Sequence, residues 1–169
     1  MTSERPTLTH ERLQAILNYD PATGIFTWRT SPHGRFPVGT RAGGLQFKGY
    51  RSIKINARLY RCNRLAWLYM TGEWPTHQID HIDGNKDNDA FNNLREATNA
   101  QNQWNTRVQR NNKTGIKGVR WNARLGKYTA DIRLNGKSKH IGVFSTIEEA
   151  RVAYNKVAAE HHGEFVRLA

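Results

Sequence analysis

The chain has 169 residues, a hydrophobic fraction of 37%, and 26 Lys and Arg against 14 Asp and Glu, giving a formal net charge of +12 and a pI near 10.3. That length allows one ordinary domain or two small ones, and the charge points to a polyanionic partner, of which nucleic acid is the usual one. A single cysteine, Cys62, excludes an intrachain disulfide and a cysteine-based zinc site, and no stretch reaches the roughly 20 apolar residues of a membrane span.

In chain order, Met1 to Pro6 is polar and lacks the apolar run of a signal peptide, so a soluble, cytoplasmic protein is expected. Leu8 to Leu17 reads as a short helix capped by Thr9, with Leu8 and Leu13 around the cap. Asp20-Pro21-Ala22-Thr23-Gly24 reads as a turn, followed by a strand from Ile25 to Arg29. Residues 30–49 hold five glycines and two prolines and read mostly as loop. Tyr50 to Ile55 and Arg58 to Arg61 flank Asn56-Ala57 as a hairpin. Arg64 to Met70 reads as a short buried helix stopped by Gly72 and Pro75. Thr98 to Asn111 reads as a helix opened by a capping box, Thr98 with Gln101. Three strands follow, Val119 to Asn122, Lys127 to Leu134 and Ser138 to Phe144, the last two joined by a tight Asn135-Gly136 turn. A final helix starts at Ser145 or Thr146, carries the stripe Ile147, Ala150, Tyr154, Val157 and Ala158, and ends at Gly163. The expected class is α+β: a small N-terminal α/β region with a strand-strand-helix core, then a three-stranded antiparallel sheet packed on one helix. The expected domains are 1–112, with that core at about 76–111, and 113–169.

Charge is unevenly spread. Residues 1–75 carry 11 basic and 4 acidic side chains, residues 76–105 carry 2 and 5, and residues 106–169 carry 13 and 5. Basic surface holds phosphates, and an acidic island between two such surfaces suits a hard cation. The island contains Asp80-His81-Ile82-Asp83-Gly84-Asn85-Lys86 and leads through Asn93-Leu94-Arg95 to the capped helix with Asn102 and Asn105. Phosphodiester hydrolysis needs a base with a pKa near 7, which histidine supplies, and a cation to offset charge on the phosphate and leaving oxygen. One carboxylate and one carboxamide hold Mg²⁺ loosely and leave room for water and phosphate. Taken alone, the same residues also suit a polar turn or a calcium-type loop, although the glutamate and flanking helices of an EF-hand are not in place. Asp83, Asp87 and Asp89 read as turn formers.

In this order the residues resemble the HNH endonuclease motif, the ββα-metal site of phage and intron homing enzymes. The resemblance extends upstream through Tyr19-Asp20-Pro21-Ala22-Thr23-Gly24, Trp28, Arg64-Leu65-Ala66-Trp67 and Gly72-Glu73-Trp74-Pro75, with Asn63 where relatives often carry a histidine. It implies His81 as general base, Asn93 as the residue orienting it, and Asp80 and Asn102 as metal ligands, with Asn105 the competitor for the second place. It further implies one divalent ion, Mg²⁺ or else Mn²⁺ but not zinc, and double-stranded DNA as substrate. The enzyme would be a strand-nicking homing or phage endonuclease in a bacterial or phage-infected host cell. It would act as a monomer or a dimer on DNA, with no small-molecule cofactor and no membrane partner. The alternative is a non-catalytic DNA-binding regulator on a nuclease fold.

Residues 114–169, with Gly118-Val119-Arg120-Trp121, Ala130-Asp131-Ile132-Arg133 and Ile141-Gly142-Val143-Phe144, resemble the plant ethylene-response-factor (APETALA-two) DNA-binding domain. The resemblance implies a sheet lying in the major groove, with Lys117, Arg120, Trp121, Arg124, Lys127, Arg133 and Lys139 as DNA-contacting candidates. His140 stands where the plant domain has a base-contacting tryptophan. Independently, alternation along Ala130 to Leu134 puts Ala130 and Ile132 on one face and Asp131 and Arg133 on the other, so a helix should cover the first and leave a basic face free.

Overall fold

Thr9 opens the first helix as its position predicts: its hydroxyl accepts the Arg12 N–H at 3.2 Å, and α1 covers His10–Ile16. The helix stops a residue earlier than its apolar pattern suggests. Leu17 takes an extended backbone and starts a strand, β1 (Leu17–Asp20), which pairs antiparallel with β2 (Ile25–Trp28) across the expected turn. The computed structural model describes residues 8–31, 34–46, 48–106, 108, 111–134 and 136–165. The chain divides into two compact units, Met1–Ala97 and Thr98–Ala169.

In the first unit, β3 (Gly44–Leu45), β4 (Arg51–Ile55) and β5 (Arg58–Arg61) form an antiparallel sheet in that order. Asn56 and Ala57 both sit at positive φ, 49° and 63°, the geometry of a tight hairpin turn matching the strands' twist. Helix α2 (Cys62–Thr71) ends at Gly72, whose φ of 83° supplies the left-handed cap that side chains resist. A third ladder joins β6 (Gln78–His81) to β7 (Leu94–Ala97), in register Asp80 to Arg95 and His81 to Leu94. Leu13, Leu17, Phe26, Ile53, Leu65 and Leu68 are the largest apolar side chains of one core beneath these elements. Each contributes roughly 1.5–3 kcal/mol by leaving water.

In the second unit, α3 (Asn99–Trp104) has the expected capping box between Thr98 and Gln101. It is much shorter than the expected run to Asn111, of which Arg107, Gln109 and Arg110 lie outside the described residues. The reason is visible at its end. Asn105 caps it, and the Lys117 ammonium donates to the carbonyls of Gln103, Trp104 and Thr106 at 3.1, 2.7 and 3.2 Å, satisfying carbonyls that a longer helix would have used. Strands β8 (Val119–Asn122), β9 (Lys127–Leu134) and β10 (Lys137–Phe144) form an antiparallel sheet with β9 central. Of the expected turn, Asn135 lies outside the described residues and Gly136 has φ 79°. Helix α4 (Ile147–His162) starts at Thr146 with a second capping box and stops at Gly163. Ala150, Tyr154 and Ala158 pack onto Val119, Ala130 and Ile132. The mixed helix-and-strand class therefore holds. Among the described residues, no helix is long and apolar enough to cross a membrane.

Candidate active site

Strand β6 ends at His81, and this solves the problem of two adjacent functional side chains on one strand. Asp80 is 5% exposed and His81 is 3% exposed. They leave the strand in opposite directions and are held by different partners. The Asp80 carboxylate takes the Arg95 guanidinium through Nε and Nη2 at 3.1 and 3.0 Å, across the β6–β7 ladder. The His81 Nε2 lies 3.0 Å from Asp89 Oδ1, and both side chains are 3% exposed. The Tyr50 ring stands beside the imidazole, with centroids 5.9 Å apart.

Asp89 is held by its surroundings as firmly as it holds His81. Its carbonyl accepts the Tyr19 hydroxyl at 2.7 Å. Phe91 N donates to Pro21 O at 2.9 Å. Gly24, at φ +72°, lies so close that a Cβ there would sit 2.2 Å from the Asp89 carbonyl carbon, so no other residue fits without moving that backbone. The Tyr19-to-Gly24 turn is thus a buttress for the histidine's partner. Burial pushes the Asp89 carboxyl up from the ordinary carboxylate range, and the hydrogen bond from His81 opposes that push.

Asn93 organises the loop that follows His81. Its side-chain oxygen accepts the Asp83 N–H at 3.0 Å, and its nitrogen donates to Asp83 Oδ1 at 3.0 Å and Asn88 O at 2.8 Å. Its backbone carbonyl accepts Ile82 N–H at 2.9 Å, directly after the histidine. The imidazole itself is gripped by Asp89, which sequence reasoning had grouped with the turn formers. The three loop acids have three separate jobs. Asp83 accepts from Asn85 N, Asn88 and Asn93; burial raises its carboxyl and these hydrogen bonds more than reverse that, holding it below its ordinary value. Asp87 pairs with Arg51 of β4 at 2.9 Å. Only Asp89 is fully buried. The available signal was weak: an aspartate eight positions after the histidine, in a loop too polar for any of its acids to stand out.

Further ties hold β6 in place. Asn63, buried at the start of α2, donates to Ile79 O at 3.2 Å, so the asparagine in the usual histidine position anchors the strand that carries Asp80. Glu96 accepts from His77 N and Thr76 N at 3.2 and 2.8 Å, and these bonds hold its carboxyl below the usual range. Asn102 lies within α3 and Asn105 at its C-cap, both in the second unit, with Asn105 buried. Asp80, His81, Asp89 and Asn93 all lie in the first.

In these elements, the HNH endonuclease family model matches residues 60–104, from β5 to the end of α3. An uncharacterized HNH endonuclease of Acanthamoeba polyphaga mimivirus is 37% identical over 146 residues, covering 86% of this chain and 67% of that protein. The chain belongs to the HNH endonucleases. Protein 3.8 of Escherichia phage T7 is 33% identical over 104 residues, 61% of this chain and 85% of its own length. No solved structure matches.

Outside the matched segment of this HNH endonuclease, the second unit sorts the expected DNA-contacting side chains. On β9, Ala130 and Ile132 face α4, so the strand register assigns the other rows. Arg120 opposite Thr129, with Lys127 and Arg133, lies on the outer face. Trp121 opposes Tyr128 and Lys139 opposes Ile132, which puts both on the helix side. Trp121 is 51% exposed and meets Tyr128 edge-on at 4.9 Å. Arg124 sits in the exposed β8–β9 turn, and Lys117 is committed to the end of α3. The outer face is less basic than expected, because Asp131 sits at its centre, 2.9 Å from Arg120 and 3.0 Å from His140 Nδ1.

Proposed function

We propose that this HNH endonuclease is a divalent-metal-dependent DNA nicking enzyme of the homing or phage type, with His81 as general base and Asp80 and Asn102 as metal ligands. The observation that carries the reading is the pairing of a buried His81 with a buried Asp89 at the end of the strand that also bears Asp80. Asp89 orients the imidazole and stabilises its protonated form, so His81 can take a proton from the attacking water. Arg95 fixes the direction of the Asp80 carboxylate. A carboxylate and a carboxamide are hard oxygen donors that suit Mg²⁺ or Mn²⁺, and the bound ion would supply positive charge where the phosphate and leaving 3′ oxygen gain negative charge.

The family match runs through residue 104, which supports reading α3 with the nuclease, and on that reading the functional boundary is taken near 112/113. The 113–169 module is read as the DNA-positioning part, of plant ethylene-response-factor type, with Arg120, Lys127 and Arg133 facing phosphates or bases. One such centre cuts one strand, and a double-strand break needs a second pass or a second copy.

The test is relaxation of supercoiled plasmid with Mg²⁺, with and without EDTA. Wild type should nick only with the metal. His81→Ala should lower nicking by on the order of 10²-fold or more while binding DNA as before. Equal nicking by the two proteins ends the assignment; DNA binding by wild type without any cutting would favour the regulator.

A further inference from the structure

A cleft of about 400 Å³ opens in the first unit beside β5 and the start of α2, lined by Arg58, Leu59, Tyr60, Arg61, Arg64 and Trp74. Its walls form a stack. Tyr60 and Trp74 lie nearly parallel with centroids 5.7 Å apart. The Arg58 guanidinium sits 5.3 Å from the Tyr60 centroid, and that of Arg64 sits 5.8 Å from the Trp74 centroid. The cation–π contacts hold the guanidinium planes in place before any ligand arrives.

Arg58 and Arg61 lack a compensating acid among the described residues, and Arg64 has only the Glu96 carboxylate acting on it from beyond ion-pair distance. Among the described residues no carboxylate forms an ion pair with Arg58, Arg61 or Arg64. Arg64 donates to the carbonyls of His77 and Pro75 at 3.3 and 3.4 Å, but no hydrogen bond joins the exposed side chain of Arg58 or Arg61 to a described protein acceptor. The backbone adds to the imbalance. Arg61 is the N-cap of α2 and Arg64 lies in its first turn, which holds no acid and has no side-chain cap at Arg61. Cations at the positive end of a helix are unfavourable. A cluster that breaks a local rule in this way is expected where a ligand restores the balance. Arg61 also stacks 4.4 Å above Tyr50, the ring that flanks His81, so the cleft lies one ring away from the proposed base.

We propose that this cleft binds one sugar-phosphate unit of the DNA strand next to the cutting site, with Arg58 and Arg61 donating to its phosphate. The proposal rests on the DNA-cutting reading, and it gives the nuclease unit a backbone grip independent of the C-terminal sheet. The volume exceeds what a lone phosphate fills and accommodates the attached sugar.

The test is fluorescence anisotropy of a labelled 30-base-pair duplex in EDTA, across a salt series, with the full chain. Arg58→Gln/Arg61→Gln should weaken binding about tenfold near 0.1 M salt and flatten the plot of log affinity against log salt by about one unit. Arg58→Lys/Arg61→Lys keeps the charge, so it should regain most of the slope while binding less tightly than wild type. If both variants melt like wild type and bind with unchanged affinity and slope, the proposal is overturned. Calorimetry with thymidine monophosphate separates the other source of the same chemistry: micromolar binding that the Gln variant loses, with DNA affinity intact, would make the cleft a free-nucleotide site and overturn the strand grip. These readouts involve no cutting, so loss of the His81 assignment leaves them interpretable.

Discussion

Asp89 is where residue chemistry and packing meet. A carboxylate buried to 2% exposure is costly unless it is paired, and its partner is His81, the proposed general base. The segment around it is braced by Tyr19, Pro21 and Gly24, residues nearly seventy positions upstream. Asp89→Asn keeps the shape and a hydrogen-bonding group but removes the charge that steadies a protonated imidazole. Single-turnover nicking should fall by on the order of 10²-fold, with DNA affinity and melting temperature nearly unchanged. A structural role alone would move the melting temperature and leave the chemical step in the surviving fold intact, so the split between the two decides the matter.

The elements show why some of this was legible in the sequence and some was not. Asp80 and His81 are neighbours, and adjacency survives folding, so a motif of chain neighbours can be read directly. The Asp89 contact forms only because the loop folds back, and nothing local separates Asp89 from Asp83 or Asp87. The second strand of the expected strand-strand-helix core, β7, has no legible bounds in the sequence because Leu94, Glu96 and Ala97 favour helix, and pairing with β6 overrides that preference. The extent of α3 was overstated because its end is set by Lys117, an ammonium thirteen residues beyond Trp104. Caps and hairpins fared better, since they depend on residues a few positions apart: Thr9 and Thr98 cap as expected, and of the two candidates for the last helix Thr146 is the cap. One hairpin carries a testable flaw. Ala57 sits at φ 63°, where a Cβ is unfavourable, and the β4–β5 turn asks for glycine. Ala57→Gly should raise unfolding free energy by roughly 1 kcal/mol, read as a higher urea midpoint at unchanged slope. A lower midpoint would mean that the entropy of the added glycine outweighs the relieved strain.

At the scale of the whole molecule, two basic blocks enclose a segment whose five acids are all engaged: Asp80 with Arg95, Asp83 and Asp87 in the loop, Asp89 with His81, and Glu96 on the backbone of Thr76 and His77. The net charge of +12 is therefore a property of the flanks. On the C-terminal sheet, Asp131 pairs with Arg120, so the phosphate contacts proposed for this face fall to Lys127 and Arg133, which form no ion pair among the described residues. Each cation that neutralises a phosphate releases condensed counterions, so each leaves about one unit in the salt dependence of binding. Lys127→Gln/Arg133→Gln should flatten the plot of log affinity against log salt by about two units. Nicking at saturating DNA should stay at the wild-type rate, because the proposed base and metal ligands lie in the segment the family model matches. A loss of slope with the rate preserved separates holding from cutting. An unchanged slope would mean that this sheet face does not meet the DNA backbone, whatever its resemblance to a plant DNA-binding domain.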